Sequence, residues 1–375
     1  MGRRKYLYAE DLVYSCIFGN GIYTADGQSV QDPLGDDGEV HGISPLFRNI
    51  TTGEEFFAKR VNYDGALRRG DLERFLERYR NLILNPPSRK HLLCPSDLIC
   101  LPVEFASLCS LLVAREYSEI VMPTKAVEGN FAVLFPYGGY PGMRNGAHRL
   151  KEIKCVSWQN PEIRKMAAQI VSALEDINRS GYIYCDMHLS RFFFTDEGSA
   201  YLDFSNLLFP IRDSRRNVED TGRVAEGGFY PIEFASPAIV QGIRRTFDFQ
   251  LQNYSLCALL FYLFFGQFSY DGRLLTGYVD DSIQKHYIKF RDYHKMPVFI
   301  FDPDDHQNAL GAFDEEQQVI DSWNALPEPL SQIFISVLGR ENALCQCKYE
   351  NPTPSMWLRC FRELGWLETP KEGGK

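Results

Sequence analysis

The first third of the chain alternates short apolar and aromatic runs with polar turns, a pattern typical of antiparallel strands. Residues 40–47, 54–61 and 130–137 are predicted strands, and the NITTG stretch at 49–53 predicts the turn between the first two. Residues 64–84 place apolar side chains at intervals of three and four, which predicts one long amphipathic helix ending at a Pro-Pro pair. This part of the chain is therefore predicted to be β-rich with one helix.

The pattern becomes helical after the YGGYPG stretch at 137–142, which is the best candidate for a domain boundary. Helices are predicted over 161–181, around 254–265, within 318–339 and over 352–364. The run at 254–265 is apolar on all sides, which is typical of a helix buried inside a large domain. We expect an α+β protein with an N-terminal extension (1–32), a β-rich domain (33–138) and a mainly helical domain (139–375).

Composition narrows the class of protein. The 375 residues are 45% hydrophobic and 24% charged, as in an ordinary folded globular protein. The net charge of -9 argues against a nucleic-acid partner, since proteins that bind a duplex need a basic face. The beginning of the chain lacks the apolar core of a secretory signal, and the run at 254–265 is too short to span a bilayer. The ten cysteines lie mostly in apolar runs, which favours reduced core residues. We therefore expect a cytoplasmic protein without a membrane partner.

Candidate chemistry is concentrated in the segment GYIYCDMHLSRFFFTDEGSAYLDFSN at 181–206. Asp186 and Asp203 each follow a short apolar run, so the pattern predicts two carboxylates near the ends of neighbouring strands. The polar loop between them contains His188 and Arg191.

Six stretches, in this order along the chain, are LGDDGEV, FFAKRV, YCDMHLSR, YLDFSN, FYPIEF and YSLCALLFYLFFGQFSYDG. Together they resemble the eukaryotic-type Ser/Thr protein kinases, in particular their bacterial branch, over roughly residues 33–365. The resemblance implies a bilobal protein kinase-like fold, with a β-rich N-lobe containing one long helix and a mainly helical C-lobe. It also implies phosphoryl transfer from ATP, with Mg²⁺ or Mn²⁺, to a hydroxyl of a protein substrate.

The resemblance implies a nucleotide site on the β-rich part. Its residues would be Gly35, Gly38, Val40, Ala58, Lys59, Glu77, Phe135 and Tyr137. Glycine at 35 and 38 lets backbone N–H groups approach the phosphates closely. Lys59 would bridge the phosphates and a helix glutamate, for which Glu77 is the best candidate and Glu73 the alternative.

The resemblance implies that Asp186 is the catalytic aspartate, which orients the acceptor hydroxyl and accepts its proton. It implies that Asp203 binds the Mg²⁺ ion. Arg191 stands where the family has the asparagine that binds a second Mg²⁺. A guanidinium cannot ligate a metal, because it is always positive and has no acceptor lone pair. Two roles for Arg191 therefore stay open. It either neutralises phosphate charge in a site with one metal ion, or it pairs with Asp203 and thereby prevents metal binding. His188 is a candidate contact for phosphate or substrate.

Further departures from the family leave the function open. Pro33 replaces the first glycine of the phosphate loop, and Ser205 replaces the glycine that follows Asp203-Phe204. Gln252 takes the place of a buried aspartate that accepts backbone hydrogen bonds, and as an amide it can still accept. Three hypotheses follow: an active Ser/Thr kinase; a pseudokinase that acts as a nucleotide-binding or scaffolding module; or a kinase-fold enzyme with altered nucleotidyl or small-molecule transfer chemistry.

Overall fold

The computed structural model defines an α+β protein with antiparallel sheets and several helices. It describes residues 13–15, 22–31, 43–62, 79–80, 82–86, 91–100, 130–136, 144–195, 200–203, 208–210, 231–244, 247–273, 294–295, 297–311, 314–345 and 351–367. The chain forms two compact units. The first contains Met1–Arg89 and Leu93–Met143, and the second contains Lys90–Leu92 and Arg144–Lys375.

The first unit is built on a six-stranded antiparallel sheet. Its strands are β1 (Val13–Ser15), β2 (Ile22–Gln31), β3 (Ile43–Asn49), β4 (Glu55–Asn62), β6 (Asp97–Cys100) and β7 (Asn130–Pro136), in the order β1-β2-β3-β4-β7-β6. The three strands predicted from the sequence are confirmed as β3, β4 and β7. The first two strands lie in the N-terminal extension, where the sequence has no clear motif and leaves open an added strand or a segment that wraps the β-rich part.

The predicted turn between β3 and β4 is confirmed, and side-chain chemistry explains it. The Asn49 side-chain oxygen accepts hydrogen bonds from the backbone N–H groups of Thr51 and Thr52, at 2.9 and 3.1 Å. Gly53 closes the turn with a left-handed φ of 73°, which glycine adopts without steric cost. In the predicted helix 64–84, residues 79–80 and 82–84 are helical, and 63–78 lie outside the described residues.

The second unit contains two small sheets and most of the helical residues that the structure describes. Its helices are α1 (Gly146–Glu152), α2 (Pro161–Arg179), α3 (Pro237–Val240), α4 (Phe249–Phe265), α5 (Gln317–Asn324), α6 (Glu328–Leu338), α7 (Arg340–Cys345) and α8 (Pro354–Glu363). Its strands are β8 (Arg144–Asn145), β9 (Tyr182–Tyr184), β10 (Phe192–Phe194), β11 (Ala200–Asp203) and β12 (Leu208–Pro210), and β5 (Leu92–Leu93) pairs with β11. All four predicted helical ranges are confirmed, and 318–339 divides into α5 and α6.

Helix α4 forms the centre of the second unit. Nearly all of its side chains are buried, as the apolar pattern predicts. It begins before the predicted range because the Asp248 carboxylate accepts from the backbone N–H of Leu251 at 3.1 Å and caps the helix. Gly266 ends it with a left-handed φ of 65°. Of the helices that the structure describes, none is long and apolar enough to cross a membrane.

Candidate functional site

The candidate site lies on a strand-loop-hairpin segment of the second unit. Strand β9 leads into a loop, a 3₁₀ turn over Leu189–Arg191 and the antiparallel pair β10 and β11. Phe192 lies opposite Leu202 in that pair. Continuing the register by one residue places Arg191 opposite Asp203, so the backbone brings the polar loop to the end of β11.

Apolar side chains anchor this loop on both sides of its polar residues. Tyr184 and Met187 are fully buried, and Leu189 is almost fully buried. The three phenylalanines of β10 are also buried. The buried apolar residues fix the backbone of the loop in the core. The polar residues between them are therefore held in defined positions.

Asp186 and Arg191 form an ion pair within the loop. The Arg191 Nε lies 3.0 Å from the Asp186 Oδ2, and their side chains are 19% and 8% exposed. Two backbone hydrogen bonds close the loop: His188 N donates to Asp186 O and Arg191 N donates to His188 O, both at 2.9 Å. A buried carboxylate needs such a partner, because desolvation strongly disfavours an isolated charge. The side chain of Asp203, the other predicted partner of Arg191, lies outside the described residues.

His188 is oriented by Ser190, which sequence reasoning did not single out. The His188 Nδ1 accepts a hydrogen bond from the backbone N–H of Ser190 at 3.1 Å and lies 2.6 Å from its Oγ. Because Nδ1 accepts, the neutral ring carries its proton on Nε2. The signal in the sequence is the short H-x-S spacing at a loop-to-turn junction, where such side chains cap the turn.

Gln252 of α4 is hydrogen-bonded to the end of β9, directly before the loop. Its Oε1 accepts a hydrogen bond from the backbone N–H of Tyr184 at 2.8 Å, and the residue is fully buried. The prediction that Gln252 accepts a backbone hydrogen bond is therefore confirmed. Its Nε2 has no hydrogen-bond partner among the described residues, so the amide satisfies one polar group and leaves another unsatisfied.

Glu233 and Asn351 lie at two other junctions of the second unit. The Glu233 carbonyl accepts from the Tyr270 hydroxyl at 2.8 Å. Asn351 donates its backbone N–H to the Gln250 Oε1 and its side-chain N–H to the Gln250 O, both at 2.8 Å. Its Oδ1 accepts from the Asn342 Nδ2 at 2.9 Å. Asn351 thus joins the segment before α8 to the first turn of α4.

The predicted nucleotide residues are described only in part. Ala58 is buried in β4, and Phe135 is fully buried in β7 and stacks on Phe57 with ring centres 5.0 Å apart. Lys59 pairs with Val133 through the backbone register of β4 and β7. The residues outside the described part are Gly35, Gly38, Val40, Glu77 and Tyr137, together with the side chain of Lys59.

Neither a group of metal ligands nor a similar protein of known function identifies the site. Across the part of the chain that the structure describes, no three His, Cys, Asp or Glu side chains are grouped to hold a metal ion. No protein-family model matches the chain, and no curated protein is similar to it in sequence. The function must therefore be argued from the site and from the motifs.

Proposed function

We propose that this chain is an ATP-dependent Ser/Thr protein kinase of bilobal kinase-like fold, which transfers a phosphoryl group from Mg-ATP to a protein hydroxyl. The observation that carries the proposal is the hydrogen bond from Tyr184 N to Gln252 Oε1. Phosphoryl transfer depends mainly on positioning and electrostatic stabilisation, so the loop carrying the catalytic aspartate must be held rigidly. A buried amide on the central helix supports the loop at the position where the kinase resemblance requires a support.

The proposed roles follow the order of the residues along the chain. Asp186 orients the acceptor hydroxyl and accepts its proton, and Lys59 binds the nucleotide phosphates. Asp203, at the end of β11, contributes a carboxylate to the metal. Mg²⁺ commonly binds through one or two protein carboxylates together with substrate phosphates and water. One carboxylate at this position therefore fits a single ion held jointly with the nucleotide.

Arg191 replaces the second metal in this scheme. Arg191 directly precedes β10, Asp203 ends the neighbouring strand β11, and the Arg191 Nε lies 3.0 Å from the Asp186 Oδ2. A permanent positive charge at this place can neutralise phosphate oxygens without being a metal ligand. In this proposal the positive charge of Arg191 takes the place of the second Mg²⁺ ion that the family binds.

A second candidate function, a nucleotide-binding pseudokinase, is favoured by the same ion pair. A carboxylate bonded to a guanidinium is a weaker proton acceptor, because the positive charge stabilises its ionised form. If Arg191 stays on Asp186 when nucleotide binds, the site would hold ATP without transferring its phosphate.

The test combines binding and chemistry on one sample of the full chain. Thermal unfolding is measured with ATP, with and without Mg²⁺ or Mn²⁺, and γ-labelled ATP is then used to detect transfer to the protein or to a generic substrate. Metal-dependent stabilisation with transfer supports the kinase. Stabilisation without transfer supports the nucleotide-binding pseudokinase or the altered chemistry. No stabilisation refutes every nucleotide-dependent hypothesis and favours a scaffolding module.

Two single substitutions distinguish the proposed role of Asp186 in transfer from that of Asp203 in metal binding. Asp186→Asn should keep nucleotide stabilisation and abolish transfer, because the amide cannot accept the proton. Asp203→Ala should abolish the metal-dependent part of the stabilisation. Transfer that persists in Asp186→Asn at the wild-type rate would contradict the proposed role of that residue.

A further inference from the structure

A histidine and a serine of the loop have a geometry that the roles proposed above leave unused. His188 caps the 3₁₀ turn over Leu189–Arg191, and its Nδ1 accepts the backbone N–H of Ser190 at 3.1 Å. The Ser190 Oγ lies 2.6 Å from the same nitrogen. Ser190 is 8% exposed, so both contacts are made largely out of reach of water. Both hydrogen-bonding groups of Ser190 therefore address a single ring nitrogen.

The backbone N–H of Ser190 restricts the protonation state of His188. A backbone N–H can only donate, so the Nδ1 that faces it must present its lone pair. The neutral ring with its proton on Nε2 meets this requirement. The doubly protonated ring does not, because it places an N–H on Nδ1 against the N–H of Ser190 and breaks the hydrogen bond. The geometry thus favours a neutral histidine, and the Ser190 hydroxyl can add a second donor to the same lone pair.

Aromatic packing fixes the plane of this ring. The His188 ring packs against Phe234, with ring centres 5.9 Å apart and planes inclined by 60°. Phe234 is 3% exposed, and its own ring contacts the rings of Tyr262 and Phe268 at 5.7 Å each. The imidazole is thus held on one face by Phe234 and along one edge by Ser190. A ring held in this way has a defined orientation as well as a defined tautomer.

The charge on His188 matters because of the neighbouring carboxylate. Hydrogen bonds from His188 N to Asp186 O and from Arg191 N to His188 O, both at 2.9 Å, place the three residues in one closed turn. Asp186 already has one cation beside it, the Arg191 Nε at 3.0 Å. A nearby positive charge stabilises the ionised carboxylate and makes it a weaker proton acceptor. A charged His188 in the same turn would weaken it further.

Charged groups on the elements packed against the loop do not provide another reason for a neutral ring. On α1, the Arg149 guanidinium lies 5.6 Å from the centre of the Phe194 ring and is paired with Glu162 at 3.0 Å. Glu233 directly precedes Phe234 in the chain, and a carboxylate near a histidine favours the charged form. The donors at Nδ1 are therefore the feature that keeps His188 neutral.

We propose that Ser190 is a positioning residue of the transfer site, which holds His188 neutral and thereby keeps Asp186 an effective proton acceptor at and below neutral pH. This inference rests on the proposed function, in which Asp186 accepts the proton of the acceptor hydroxyl. In this state His188 offers an N–H donor at Nε2 without adding a charge to the site. Ser190 acts through His188 and needs no contact with the substrate.

The first measurement reads the state of His188 in the full chain without nucleotide. Long-range ¹H–¹⁵N NMR spectra of protein with ¹⁵N-labelled histidine distinguish the two tautomers and the charged ring, and the spectrum of His188→Gln assigns the signals. We expect the proton on Nε2 and a ring that is still neutral at about pH 6, where a free histidine is mostly charged. In Ser190→Ala the ring should become protonated at higher pH. A proton on Nδ1, or a wild-type ring mostly charged at about pH 6, would overturn the proposal.

The second measurement compares the pH dependence of phosphoryl transfer among variants that thermal unfolding shows to be folded. Ser190→Ala removes the hydroxyl and keeps the backbone N–H, Ser190→Thr keeps both, and Ser331→Ala on α6 is the matched control, which removes a hydroxyl bonded to the Glu328 carbonyl. Ser190→Ala should transfer about threefold more slowly than wild type at about pH 8 and about tenfold more slowly at about pH 6, because loss of one hydrogen bond lets the ring become charged. Ser190→Thr should restore the wild-type profile, and the control should match it.

Two kinetic results would overturn the proposal. One is a ratio of wild-type to Ser190→Ala rates that is the same at both pH values, since a purely structural defect lowers the rate at every pH alike. The other is an equal change in Ser331→Ala. Absence of transfer by the wild type would instead refute the proposed function, and with it the effect on Asp186, whereas the NMR spectra would still decide the state of His188.

Discussion

The hydrogen bond between Gln252 and Tyr184 leads to a quantitative prediction. Gln252→Met keeps approximately the volume of the side chain and removes the acceptor from a fully buried position. The backbone N–H of Tyr184 then loses its partner at a buried position, which costs about 1–3 kcal/mol. The substitution also removes the unsatisfied Nε2, which offsets part of that cost. The net loss in the free energy of unfolding should be about 1–2 kcal/mol.

The assay is urea unfolding of the wild type and the variant, supported by thermal unfolding. In a unit of this size the predicted loss corresponds to a decrease in Tm of about 3–6 °C. Gln332→Met is the control, since Gln332 is exposed on α6 and its replacement should change stability by less than about 0.5 kcal/mol. If the chain transfers phosphate, Gln252→Met should also lower the transfer rate at temperatures where the variant is fully folded.

Two results would refute this reasoning. Equal stability of Gln252→Met and wild type would mean that the buried hydrogen bond has no net effect on the loop. A destabilised variant with a normal transfer rate would mean that support from α4 does not position Asp186. The second result would establish phosphoryl transfer but would show that it does not depend on the hydrogen bond between Tyr184 and Gln252.

Four further predictions address other parts of the second unit. Gly146→Ala should lower the free energy of unfolding by about 1–3 kcal/mol in urea, because a Cβ there would lie 2.8 Å from the Leu189 carbonyl. Arg191→Leu should lower the free energy of unfolding in urea by about 3 kcal/mol, because it removes the guanidinium that pairs with the largely buried Asp186 carboxylate. Arg191→Asn should raise transfer if the arginine only fills a lost metal site, and loss of transfer would identify it as a phosphate ligand. Burial lowers the pKa of His294 from 6.5 to about 4, so its neutral form contributes stability that is complete above pH 6.5 and decreases by about 3 kcal/mol as the pH falls through 4. Urea unfolding across this range should show a shallower pH dependence in His294→Gln, and an unchanged dependence would contradict the assignment.

The central helix shows how far local pattern predicts structure. The run at 254–265 is apolar at every position of a helical turn, so burial on all sides was predictable without knowing its neighbours. The start of α4 could also have been found, since Asp248 precedes the apolar residues as a capping residue should. The strands β3, β4 and β7 and the Asn49 turn were predictable for the same reason, because their signals lie within a few consecutive residues.

The partner of Arg191 could not be derived from the sequence in this way. Sequence reasoning offered the phosphates or Asp203 as its partners and did not name Asp186, with which the structure shows an ion pair. The hydrogen bond from Arg191 N to His188 O turns the loop back on itself, and that closure depends on the buried anchors Met187 and Leu189. A charge pattern alone does not specify which carboxylate a flexible arginine reaches.

The sequence alone determined the succession of strands and helices, the position of the two aspartates after apolar runs, and the chemical impossibility of a metal bond from Arg191. Tertiary structure decided which groups meet: Gln252 reaches Tyr184 across 68 residues of chain, and Asn351 reaches Gln250 across 101 residues. The physical reason is that periodicity and capping act over one or two turns. Contacts between distant segments depend on how complete elements pack, which no local pattern specifies.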